Sequence, residues 1–175
     1  MNAGFLTNLA DEKVDRARVT LQETLGQIDL DFSHYEDQIS KVISDLVSLM
    51  EQGHPIDVGK FLSGMLADER GTISEQSDLE RSASVTMRRL SKANPEALPF
   101  LNEALTSLLG RMDRLATFYR DARWRLMESR AQFSPSEGKG PVHGNPADID
   151  AYLKRSCKWL AGGWVKITTA ARPRA

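Results

Sequence analysis

Three histidines, one cysteine, several paired carboxylates and a basic run carrying two tryptophans are the groups in this chain with the means to do chemistry. Two histidines follow a carboxylate by three residues, Asp31-x-x-His34 and Glu51-x-x-His54. That spacing puts both side chains on one helix face. In bundle metal sites such pairs aim at one ion together with further facing carboxylates. Neither pair has the position that inward ligation requires. His34 stands beside Tyr35 off the apolar stripe, and His54 falls in a Gly53-His54-Pro55 break. A lone histidine on a bundle helix can also carry a phosphoryl group, and His34 suits that geometry. Its neighbourhood, DFSHYEDQ at 31–38, matches no phosphotransfer motif. His143 lies in a Ser/Pro/Gly-rich stretch and is expected to be solvated.

Glu75 and Asp78 have a spacing that could hold Mg²⁺ in an all-α hydrolase. That reaction needs a second pair on a neighbouring helix to bracket the metal, and none is evident. Cys157 precedes Lys158, and a nearby ammonium lowers a thiol pKa. Its register with Leu153 and Leu160 favours a packed, inert thiol instead. A single cysteine allows neither an internal disulfide nor a cysteine metal cluster. The chain has no glycine-rich phosphate loop, no G-x-S-x-G and no zinc-ligand spacing. No metal or cofactor is expected, and no catalytic residue is assigned.

One positive signal remains. From Gly138 onward there are seven Lys/Arg against two acids, Asp148 and Asp150. Lys154, Arg155, Lys158 and Lys166 interleave with Tyr152, Trp159 and Trp164. Cationic side chains contact phosphates, while aromatic rings stack on bases or rest at a lipid interface. Lys154, Arg155, Lys158, Trp159, Trp164 and Lys166 are therefore the candidate binding residues. The competing reading, which is favoured, docks the tryptophans onto the rest of the fold and leaves the charges in water. Trp124, ringed by Arg120, Arg123 and Arg125, has the composition of an interface hot spot. Packing of the middle helices over Trp124 and Phe118 is the preferred account there.

Elements must hold these groups, and their pattern is helical. Residues Leu21, Leu25, Ile28, Phe32, Tyr35, Ile39, Val42, Leu46 and Leu49 alternate steps of four and three. Such spacing keeps a narrow seam on one side of a helix, as in coiled coils. A helix is expected from about Asn8 or Ala10 to Glu51, ended by Gly53 and Pro55. A second stripe runs Leu98, Leu101, Leu105, Leu108, Met112, Leu115, Tyr119, Ala122 and Leu126. Asn94-Pro95 starts it, with regular bonding delayed to Pro99, and it ends near Phe133. The second helix, with the broader apolar face, should be central. Between them the reading is a short helical pair. Asp57 caps the first, Gly71 breaks the chain, and Thr72 and Glu75 form a capping box for the second. After SPSEGKGPVHGN at 134–145, a last helix should start at Asn145-Pro146 and stop at Gly162-Gly163, leaving a tail or short strand.

The expected fold is an all-α, elongated bundle of two long heptad-patterned helices, with the shorter pair between them and a C-terminal helix. Its expected division is a bundle at 1–133, a linker at 134–145 and a C-terminal helix with basic tail at 146–175. Acids beside the first stripe (Asp29, Asp31, Glu36, Asp45) and arginines beside the second (Arg111, Arg123, Arg125) favour these helices as neighbours. Their direction is open: a compact middle makes them antiparallel, an extended middle arm parallel. The net charge of −1 conceals a split. Residues 1–80 hold 6 Lys/Arg against 16 Asp/Glu, a balance of −10, and residues 81–175 hold 17 against 8, a balance of +9. Mutual neutralisation within the fold is the preferred explanation, a polyanion-binding half the other.

No apolar run approaches the roughly 20 residues of a membrane span, and the N-terminus lacks signal-peptide character, so a cytoplasmic protein is expected. The leading functional reading is a non-catalytic interaction protein: an adaptor, chaperone or regulatory binding subunit with a protein partner. A homodimer sharing the stripes is an alternative oligomeric form. A nucleic-acid or anionic-lipid binder working through the C-terminal segment is the second function, and an unusual all-α enzyme the third.

Overall fold

The structure, a computed structural model, describes residues 4–54 and 56–132 together with Ala151, Arg155, Lys166 and Ile167. A short helix α1 (Gly4–Asp11) leads into three long ones, α2 (Val14–Glu51), α3 (Val58–Ala93) and α4 (Leu98–Gln132). A 3₁₀ turn at Pro95–Ala97 joins α3 to α4. Among the described residues there is no strand. The fold is an all-α bundle.

Helix α2 stops where glycine permits. Gly53 takes φ of 80°, its N–H donates to the Met50 carbonyl, and the His54 N–H donates to the Leu49 carbonyl. This pair of bonds satisfies carbonyls that the last turn would otherwise leave open. It also turns His54 inward, where it is buried. At the start of α4, Asn94 and Pro95 begin the 3₁₀ turn, and Pro99 sits in the first α-helical turn, where its missing N–H costs nothing.

The long helices α2 and α4 run parallel. Side chains that meet across them stand at a nearly fixed sequence separation: 82 for Asp29–Arg111, 78 for Glu36–Arg114, 84 for Tyr35–Tyr119 and 81 for Ser44–Arg125. A constant separation means a common direction. Helix α3 is the extended arm that carries the chain back from the end of α2 to the start of α4, antiparallel to both. The expected pair of middle helices is in fact this one helix of 36 residues. Gly71 does not break it. Thr72 is no cap either; it is buried in mid-helix and its hydroxyl donates to the Asp68 carbonyl at 2.8 Å. A glycine inside a helix costs about 1 kcal/mol. The buried line Met65, Thr72, Leu79, Ala83, Thr86 and Leu90 passes straight through the site, and its burial outweighs that local cost. Asp57 does precede the helix, but without a side-chain capping bond.

Burial follows the two stripes closely. On α2, Leu21, Ile28, Phe32, Tyr35, Ile39 and Leu46 are buried, while Leu25, Val42 and Leu49 are half-buried. Ile43 and Met50 take the inner places near the C-terminus. An α-helix repeats every 3.6 residues, so a buried line drifts across a seven-residue pattern by about 20° per heptad. Helix α4 is covered on two sides. Leu101, Leu108, Met112, Leu115, Tyr119 and Leu126 are buried, and so are Phe100, Ala104 and Ala116. Close backbone approaches join α3 to α4 and α2 to α4, whereas α2 and α3 stand apart over nearly all their length. Helix α4 is the central element.

Candidate functional site

Opposite charges were expected to pair α2 with α4, and two such pairs do. Arg111 grips Asp29 through two bonds, Nε to Oδ1 at 2.8 Å and Nη2 to Oδ2 at 2.6 Å. Arg114 bonds Glu36 at 3.0 Å and lies 4.4 Å from the centre of the Phe32 ring. Arg125 reaches only the Ser44 hydroxyl of α2, at 3.4 Å. Arg123 departs from the expectation. It turns to α3 and pairs with Glu69, whose other oxygen lies 3.8 Å from Arg120. Glu69 and Arg123 are the most enclosed of these ions, so their pairing locks α3 to α4 more firmly than the exposed pairs lock their helices.

At the level of Tyr35 the interior is polar. The hydroxyls of Tyr35 and Tyr119 are 2.6 Å apart, and the two rings meet edge to face at 6.4 Å. Burial pushes the Tyr35 hydroxyl well above the usual phenol range; the hydrogen bond to Tyr119 opposes this and the negative charge of Asp68 adds to it. Asp68 comes from α3, so the charge of a third long helix acts on this pair. Sequence reasoning missed this cluster. The tyrosines looked like ordinary stripe residues, and Asp68 belonged to an arm with no assigned partner.

Two described residues from the C-terminal part of the chain, Lys166 and Ile167, also meet the bundle. Ile167 is 2% exposed and belongs to the main core cluster, and the backbone at Lys166 and Ile167 is helical. The tail or strand expected there is therefore a helix at these two positions. Lys166 has an exposed side chain, yet partial burial lowers its pKa, and the Asp68 carboxylate acts in the opposite direction. Of the six candidate binding residues, Lys166 thus sits beside an acid of the bundle, and Arg155 is exposed on helical backbone. Lys154, Lys158, Trp159 and Trp164 lie outside the described residues, as do Cys157 and the linker with His143.

His34 is exposed and within 2.6 Å of the Gln38 side chain one turn on. Among the described residues, no three His, Cys, Asp or Glu side chains come together as a metal site. No helix among them is long and apolar enough to cross a membrane.

Helix α3 does not cover Trp124. Phe118 turns inward against Phe32, with ring centres 6.2 Å apart, but Trp124 is 59% exposed and Met127, one turn later, 45%. Arg120 and Arg125 flank them, exposed. Comparison with protein-family models, with curated proteins and with solved structures gives no match.

Proposed function

We propose that this chain is a non-catalytic interaction protein, an adaptor, chaperone or regulatory binding subunit, that engages a protein partner through the outer face of α4. The observation that carries the reading is the exposed pair Trp124 and Met127, set among Arg120 and Arg125. An indole leaves water at considerable gain, about 25 cal/mol per Å² of apolar surface. Tryptophan and arginine together dominate the energetics of protein interfaces. A rigid helix bearing them presents a fixed pattern, so little ordering entropy opposes binding. The cytoplasm is the proposed location.

The test compares wild type with Trp124→Ala/Met127→Ala, each immobilised and exposed to the same cell extract. Wild type should retain a discrete set of proteins that the double variant loses, with both showing the same helical circular dichroism. Identical retention would sink the proposal. A second reading, binding of nucleic acid or anionic lipid through the C-terminal segment, has the exposed Arg155 as its support. That mode must weaken steeply with salt, because each neutralised phosphate releases a counterion.

A further inference from the structure

In the sequence Trp124 stands among arginines, but the fold directs those cations elsewhere. Arg123 pairs with Glu69 of α3, and the other oxygen of Glu69 lies 3.8 Å from Arg120. Arg125 reaches across to the Ser44 hydroxyl of α2. Nearer the start of α4, Arg111 and Arg114 are paired with Asp29 and Glu36. The arginines of α4 are thus largely engaged in holding it to its neighbours.

The outer strip of the helix has the opposite sign. At 100° per residue, the positions of 113–131 that lie within about 60° of Trp124 include Asp113, Asp121 and Glu128 against one cation, Arg120. The three acids are exposed and make no ion pair among the described residues, whereas Arg120 has Glu69 beside it. Asp121 and Glu128 bracket Trp124, about 10 Å apart at 1.5 Å per residue. The indole between them is 59% exposed, and Met127 adds an exposed apolar side chain. The face of an indole attracts a cation through its quadrupole, so ring and carboxylates favour the same charge in a partner. Building on the reading of α4 as a partner-binding face, we infer that its occupant is a cationic amphipathic helix of a protein partner. Two Lys or Arg side chains of that helix, two turns apart, meet Asp121 and Glu128. An apolar side chain between them packs on Trp124 and Met127. Helices docked by one face are recognised through anchors spaced in this way. The same acids repel a polyanion, so this face selects protein over nucleic acid.

Fluorine NMR on the full chain labelled with 5-fluorotryptophan tests the inference, with the Trp124 signal assigned from Trp124→Phe. The probes are two synthetic amphipathic helical peptides of one pattern, the first built from Leu and Lys, the second from Leu and Glu. The Leu/Lys peptide should move the Trp124 signal to saturation, and the Leu/Glu peptide should leave it in place. Asp121→Asn/Glu128→Gln should weaken binding of the Leu/Lys peptide about five- to tenfold, as expected for the loss of two exposed ion pairs. The signals of the other two tryptophans should be the same in the variant as in wild type, which reports an intact fold. An equal response to both peptides, no response to either, or wild-type affinity in the double variant overturns the cationic occupant. A Trp124 signal that follows the Leu/Glu peptide alone also overturns it, and leaves α4 as an interface for a partner of the other charge. Retention by wild type and by Trp124→Ala/Met127→Ala reads the interface itself, so the two failures are distinguishable.

Discussion

Tyr35 and Tyr119 show what a polar pair does inside a bundle. Each phenol ring fills a stripe position, and each hydroxyl would be costly to bury alone, by about 1–3 kcal/mol. Meeting at 2.6 Å, they remove that cost for one another. Tyr35→Phe should lower stability by about 1 kcal/mol in urea unfolding at neutral pH. The effect must depend on pH. Burial holds Tyr35 neutral above its ordinary value of 10.0, while the unfolded chain ionises near that value. A raised folded pKa means that the contribution is fully present below about pH 10. It is lost as pH rises further, by up to about 1.4 kcal/mol per unit. Wild type should therefore lose its advantage over Tyr35→Phe between about pH 10 and 11. A gap that stays constant over this range would show that Tyr35 is not held neutral.

Helix α3 illustrates how tertiary burial settles a local ambiguity. Gly71 followed by Thr72 and Glu75 reads locally as a stop and a restart, because glycine is a poor helix former and Thr/Glu at that spacing makes a cap. The same residues accept helical geometry when Met65 and Leu79, on either side, are buried on one face. A Cβ added at Gly71 meets nothing within 4 Å. Gly71→Ala should therefore stabilise the protein by about 0.5–1 kcal/mol, seen as a higher midpoint of thermal unfolding. If Gly71 were instead a working hinge, alanine would lower the midpoint or leave it unmoved.

At the scale of the whole molecule, the apolar stripes of α2 and α4 bury one another within a single chain. The native mass from light scattering should be that of one 19.5 kDa chain. Ile39 is wholly buried on that interface and Gln22 is exposed. Ile39→Asp places an unpaired charge in a dry interior and removes a buried side chain, and should unfold the protein or cost at least about 3 kcal/mol. Gln22→Asp should stay within about 0.5 kcal/mol of wild type. Equal effects of the two changes would refute the stripe as the core.

Much of this was legible in the sequence because helical periodicity is a local property. The two stripes, the stop at Gly53, the start at Asn94-Pro95 and the central place of α4 all follow from side-chain spacing and backbone chemistry within a few turns. The acids of α2 and the arginines of α4 also named each other as neighbours, through Asp29 with Arg111 and Glu36 with Arg114. What depended on distant residues was not legible. Whether Gly71 breaks a helix is decided by what covers Met65, Thr72 and Leu79. The direction of α4 along α2 follows from the length of α3. Arg123 chose Glu69 over the acids of α2 because α3 packs beside it. Tyr35 and Tyr119 pair within the charge of Asp68 only when three helices are assembled, since an arrangement drawn from three elements leaves no mark in the spacing of any one of them.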